Sequence, residues 1–293
     1  MRLPRALMPA LASAALAGGC ARIPGAVAGL RERSELRAEV GTFELAYAAG
    51  DEASRDALER AIRAASPRLV RWGALRVPVR VVILPTHEAL EAVINRRDYE
   101  WLRAWARYDE IFVQSPGTWT FTGANPADVD ELMLHELTHC LMYQRSAGGE
   151  DWMRKRIPLW FREGMASVTA NQSYRWPALE DLARFYDERP DQDPVGKPES
   201  LYRGQNEIVY GAAHHAFAFL IRRYGEKAVE RVMEEMAQGA TFPDAFQQAI
   251  GLSATAFVQD FKLFVRLRGF RPAGALGGPA PFLQPQESAG NPP

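Results

Sequence analysis

Cysteine is scarce: Cys20 and Cys140 are the only two in 293 residues. One intrachain disulfide is the most the chain can form, so its stability must come from an ordinary core rather than from covalent staples. It also lacks a block of basic residues. With 35 Lys and Arg against 36 Asp and Glu, the formal net charge is -1, which argues against nucleic acid as a partner and gives no reason to expect acidic substrates. No internal repeat is visible. The apolar stretch at residues 6–17 is shorter than the roughly 20 residues a permanent membrane helix needs. What remains is ordinary: 47% hydrophobic and 24% charged residues, enough for one substantial core. Histidine is also rare, five in all, and two of the five fall within one pentapeptide.

Residues 1–19 read as a secretion signal, with Arg2 and Arg5 followed by the apolar stretch and then small residues. Its end, Leu16-Ala17-Gly18-Gly19-Cys20, resembles a bacterial lipobox. The resemblance implies a lipidated, N-terminal Cys20 that tethers the chain to the membrane, the alternative being an ordinary signal peptide. Ala21, rather than aspartate, follows, which implies the outer membrane if the cell is Gram-negative. A lipidated Cys20 would leave Cys140 without a disulfide partner.

The pentapeptide is His135-Glu136-Leu137-Thr138-His139. Histidines four apart on a helix face the same way, roughly 6 Å apart along the axis, so both imidazoles can reach one metal ion. Glu136 is turned by about 100° and can instead touch a water in the open coordination position, the arrangement of a zinc hydrolase. The surroundings favour a helix over residues 126–145. Asn125 is a candidate cap, Pro126 suits the first helical position and Asp128 the first turn. Val129, Leu132, Met133, Leu137, Cys140 and Leu141 supply a core-facing stripe. Cys140 reads as part of that stripe, not as a ligand.

Catalytic zinc usually has three protein ligands. The candidate third is Glu163, 24 residues after His139 in Pro158-Leu159-Trp160-Phe161-Arg162-Glu163-Gly164-Met165-Ala166-Ser167. HELTH followed by PLWFREGMAS resembles the gluzincin metallopeptidases, in particular bacterial peptidase MA-like domains, with their HExxH, proline, aromatic and glutamate-glycine pattern. The resemblance covers residues 77–264 and implies Glu163 as the third zinc ligand. Thermolysin-type members carry an aspartate four residues later to orient a histidine; here Ser167 stands in that place, so any such partner must come from elsewhere.

Residues 34–50 and 53–65 show helical spacing and predict an N-terminal helical hairpin. Residues 77–84 read as a strand, followed by Thr86 as a cap and a helix over residues 87–96, with His87 on its surface. Residues 111–115 read as a second strand, in the place where the family puts the edge that pairs with an extended substrate. Trp101, Trp105 and Trp119 flank it, either lining the cleft or packing in the core. Residues 186–206 are a long, Pro- and Gly-punctuated loop. A helix over residues 206–224 then carries Tyr210, His214 and His215. Tyr210 and His214 share a face and are the candidates to donate to the oxyanion of a tetrahedral intermediate, the alternatives being core packing for Tyr210 and, for His214 as for His215, a histidine that is simply hydrogen-bonded or exposed. Residues 269–293 read as a disordered tail.

The sequence therefore predicts an α+β, zincin-like fold: a small mixed β-sheet, an active-site helix and a mainly helical C-terminal half. Its segments are a signal peptide (1–19), a tether (20–33), the metallopeptidase domain with its helical hairpin (34–268) and a tail (269–293). The expected function is zinc-dependent hydrolysis of peptide bonds at the cell envelope, outside the cytoplasm. His135, His139 and Glu163 would hold Zn2+, Glu136 would act as general base, and Tyr210 and His214 would assist. The expected partners are a peptide or protein substrate and, through Cys20, the membrane. Two alternatives are a non-catalytic zinc-containing lipoprotein acting as a binding or scaffold module, and hydrolysis of a non-peptide amide such as cell-wall material.

Overall fold

A computed structural model of the chain describes residues 29–97, 99–201 and 204–267. The expected signal peptide (1–19), Cys20 and the expected tail (269–293) fall outside the described residues. Five strands form one mixed sheet: β1 (Glu32–Ala38), β2 (Gly41–Tyr47), β3 (Val79–Leu84), β4 (Ala104–Ala106) and β5 (Glu110–Gln114), in the order β1-β2-β3-β5-β4. β1 and β2 form an antiparallel hairpin, β2, β3 and β5 run parallel, and β4 runs antiparallel to β5. β3 is central and buried on both faces, which explains its nearly continuous apolar run. Its Val81 and Ile83 join the main core, while Val82 and Leu84 join a second cluster on the opposite face.

Helix α1 (Glu52–Leu69) carries the chain from β2 across to the parallel β3. Helix α2 (His87–Ile94) covers the second face, burying Leu90 and Ile94 against Val82, Leu84, Trp105 and Phe112. Thr86 caps it by accepting from the Ala89 amide at 3.2 Å, and His87 sits in the first turn, with Nε2 3.5 Å from Glu91. From α3 (Pro126–Ser146) onward, the chain is helical: α4 (Leu159–Thr169), α5 (Leu179–Glu188), α6 (Asn206–Tyr224), α7 (Glu226–Ala237), α8 (Phe242–Ile250) and α9 (Ala254–Arg266). The α+β class, with a small mixed sheet and a mainly helical C-terminal half, is as the sequence predicts. Among the described residues no helix is long and apolar enough to cross a membrane.

Three expectations need correction. The N-terminal helical hairpin is absent: residues 32–47 are a β-hairpin, and only its second expected half is helical, as α1. Leu36, Val40 and Phe43 do sit at helical spacings. However, Phe43, Leu45 and Tyr47 alternate inward against the exposed Glu44, and pairing with β3 makes that strand period the one that decides. The hairpin turns at Glu39-Val40, a pair without the Asn-Gly or Asp-Gly signature that marks such turns in a sequence. The tether also ends early, since Glu32 already belongs to β1. Finally, β5 is not the sheet edge. It lies between β3 and β4, and the short β4 forms the border.

The tryptophans near that edge are core residues in two cases. Trp119 is buried in the main core and Trp105 in the second cluster, against which Trp101 packs partly buried. The loop after α5 is anchored: Val195, Pro198 and Leu201 are buried, and Lys262 of α9 reaches Asp193 at 2.6 Å.

Candidate metal centre

Helix α3 starts as its sequence dictates. The Asn125 side chain accepts from the Ala127 amide at 3.0 Å, Pro126 occupies the first position and Asp128 the first turn. Every residue from Leu132 to Gln144 is buried, so the helix runs through the interior rather than over it. His135 and His139 project from it with their ring centroids 4.9 Å apart.

Glu163 meets them from α4. Its Oε2 lies 3.6 Å from Nε2 of His135 and 3.6 Å from Nε2 of His139, and all three side chains are about 1% exposed. One ligand atom from each residue can be chosen so that all lie within 4.8 Å of one another, the only such group found among the described residues. Two donors on a tetrahedral zinc are about 3.3 Å apart for bonds of roughly 2.0–2.1 Å, so the two 3.6 Å separations from Glu163 need little closing.

The three atoms that converge, His135 Nε2, His139 Nε2 and Glu163 Oε2, are buried and none makes a hydrogen bond. Each such orphan costs about 1–3 kcal/mol. Three together consume a large part of the roughly 5–15 kcal/mol by which a domain is stable. A divalent cation turns that cost into a gain, because structural zinc sites in small peptides bind with about 10–16 kcal/mol. Charge states agree. Burial would raise the Glu163 carboxyl, yet the two imidazoles outweigh it and hold it at about 2. Burial pushes His139 below its ordinary value, while the Glu163 carboxylate pulls it back up. An ionised carboxylate is the form a metal needs. The donor set fits zinc.

Gly164 explains why α4 can present Glu163 here. A Cβ at this glycine would stand 2.4 Å from the Ala213 carbonyl oxygen and 2.5 Å from Phe217 Cβ, so only glycine lets α4 and α6 approach this closely.

Glu136 is wholly buried beside this group, and neither carboxylate oxygen makes a hydrogen bond. Its pKa is raised well above the usual range by burial and then by the nearby Glu163 charge, partly offset by the Ala106 backbone amide. That amide belongs to the edge strand. Trp105 pairs with Phe112, the Arg103 carbonyl accepts from Gln114 and the Arg107 amide donates to Glu110, so alternation turns the N–H and C=O of Ala104 and Ala106 away from β5. β4 is the border of the sheet, its two alanines are buried, and the Ala106 amide lies beside Glu136.

Tyr210 and His214 lie on α6, the helix packed against α4. The Tyr210 ring stacks on Trp176 with centroids 5.4 Å apart. His214 Nδ1 is 2.9 Å from Ser167 Oγ, which also accepts from Trp176 Nε1 at 2.7 Å. Ser167 therefore supports His214 and not a metal-site histidine. Burial pushes His214 down to about 4, with His215 adding to the effect. His215 donates Nε2–H to the Pro177 carbonyl at 2.9 Å and serves to join α6 to the preceding turn. Cys140 is buried and donates to the Arg107 carbonyl at 3.2 Å, in keeping with a core role.

Gln172 also belongs to the site. His135 Nδ1 is 3.0 Å from its Oε1. It comes from the turn that ends α4, and no ligand-type spacing marks it.

No protein-family model and no curated protein matches the chain. Among solved structures, an M1 zinc metallopeptidase from Deinococcus radiodurans is similar over 82% of this chain and 53% of that one, at 17% identity and a TM-score of 0.41. A variant of that enzyme bound to a Tyr-Ser-Ala substrate is similar over 80% and 51%, at 16% identity and a TM-score of 0.43. The chain spans about half the length of these proteins.

Proposed function

We propose that the chain is a zinc-dependent metallopeptidase of gluzincin type, tethered to the cell envelope through Cys20. The observation that carries this reading is the convergence of three buried ligand atoms, none at hydrogen-bonding distance from another group, next to the buried carboxylate of Glu136. A purely structural zinc site has no use for such a carboxylate. Zinc bound by His135, His139 and Glu163 would bring the pKa of a water to about 7 and polarise the substrate carbonyl.

The chain's own residues do the rest. An extended peptide would pair with the border strand β4 through the N–H and C=O of Ala104 and Ala106 that point away from β5, with Ala106 beside Glu136. Glu136 takes the proton of the attacking water on a carboxylate oxygen and passes it to the leaving amine. His214 and Tyr210, held by Ser167 and Trp176, would donate to the oxygen that gains charge as the carbonyl becomes tetrahedral.

The test is Glu136→Gln. Peptide turnover should fall by roughly 10²–10⁴-fold or more, the range for loss of a general base, with zinc content and thermal melting unchanged. Unchanged turnover would remove the catalytic reading and favour the binding module. Comparing peptide libraries with cell-wall fragments identifies the acyl group. For the tether, Cys20→Ser should release the chain from the membrane fraction; a variant that stays there would point to another mode of attachment.

A further inference from the structure

We propose that Glu131 and Gln172 form a relay that fixes the tautomer of His135 and so aims its Nε2 lone pair at the metal. The inference rests on the reading of His135 as a ligand, and it begins with how α4 ends. Asn171 takes a left-handed conformation with φ 58°, its amide donating to the Val168 carbonyl at 3.2 Å, and the Gln172 amide donates to the Ser167 carbonyl at 3.0 Å. This pair of bonds is a Schellman cap, which folds the chain back over the last turn of its helix. The helix that brings Glu163 to one side of the histidines therefore delivers Gln172, fully buried, to the other side of His135.

An amide side chain alone does not choose a tautomer, because either end can turn toward the ring. Glu131 makes the choice. It sits one turn before His135 on the same face of α3. Its carboxylate accepts from Gln172 Nε2 at 3.0 Å, from Arg175 Nε at 2.5 Å and from the Tyr174 hydroxyl. A carboxylate engaged by these donors offers no hydrogen, so the NH2 of Gln172 must face it and Oε1 must face His135. That oxygen only accepts, so Nδ1 must carry the hydrogen and Nε2 is left with its lone pair directed at Glu163 Oε2 and the metal position. The orienting role falls to a neutral amide whose own direction is set by an acid. His139 differs: its Nδ1 is buried without a hydrogen-bond partner. His135 is the ligand that is aimed.

The experiment uses the full chain in three forms: unaltered, Gln172→Leu, and the double exchange Glu131→Gln with Gln172→Glu. The leucine removes the acceptor. The double exchange reverses the inner hydrogen bond yet restores an acceptor at His135 Nδ1. Zinc affinity is measured by competition with a chelator, and the His135 tautomer by nitrogen-edited NMR of the metal-free protein. Gln172→Leu should bind zinc about 10–100-fold more weakly, the usual cost of losing an outer partner, and lose the dominance of the Nδ1–H form. The double exchange should recover both. Unaltered affinity and tautomer in Gln172→Leu would overturn the relay, as would a double exchange no better than the leucine variant. If Gln172→Leu fails to fold, Gln172→Glu alone serves: it sets two carboxylates against each other, and adding Glu131→Gln must rescue it. Absence of zinc binding by the unaltered chain would instead sink the metal reading, while the NMR tautomer would still decide the relay.

Discussion

Gly164 packs so tightly on Ala213 that an added Cβ would stand 2.4 Å from the Ala213 carbonyl oxygen. The contact is backbone against backbone, so no side-chain rotation relieves it. Gly164→Ala should therefore push α4 away from α6 and destabilise the fold by about 1–3 kcal/mol, the usual cost of overpacking. Because Glu163 is the preceding residue, zinc affinity should fall along with the melting temperature. An alanine variant with native melting and native zinc affinity would show that this crossing does not position the ligand.

Ala106 turns its N–H away from β5, so proline there removes no rung of the sheet, and edge strands tolerate proline. Ala106→Pro should keep the zinc content while sharply lowering kcat/KM for extended peptides, because it removes the amide that lies beside Glu136 on the border strand. Unchanged peptide kinetics would place the substrate elsewhere.

His214 ties stability to pH. In the unfolded chain an imidazole titrates near 6.5, whereas burial holds His214 at about 4 in the folded protein. Between these values the unfolded chain binds a proton that the folded one refuses. Stability is thus fully present above pH 6.5 and is lost as pH falls through about 4, by roughly 3 kcal/mol at most. Melting temperatures between pH 4 and 7 should show a shallower acid slope in His214→Gln than in the unaltered chain. Some slope should persist, since burial lowers His215 too. Identical slopes would mean that His214 is solvated or charged in the folded state.

Legibility in the sequence followed how local each signal is. The α3 helix, with its cap at Asn125 and its two histidines, is written in consecutive residues, and it folds as those residues predict. Glu163 was legible because it shares a short pattern with Gly164, and the structure supplies the packing reason for that pair. The β-hairpin was not, because Leu36, Val40 and Phe43 fit a helix until pairing with β3 selects the strand period. The position of β5 inside the sheet was hidden for a similar reason: β4 is only three residues long and carries no alternation to read. Gln172 was out of reach, since its role comes from a helix cap folding back onto another helix.

The most direct measurement is zinc content by elemental analysis of the purified chain beside Glu163→Ala. One zinc per chain is expected in the unaltered protein, with affinity in the variant weakened beyond the roughly 100-fold that an outer partner commands. Zinc bound equally well by both, or by neither, would contradict the three-ligand centre of His135, His139 and Glu163.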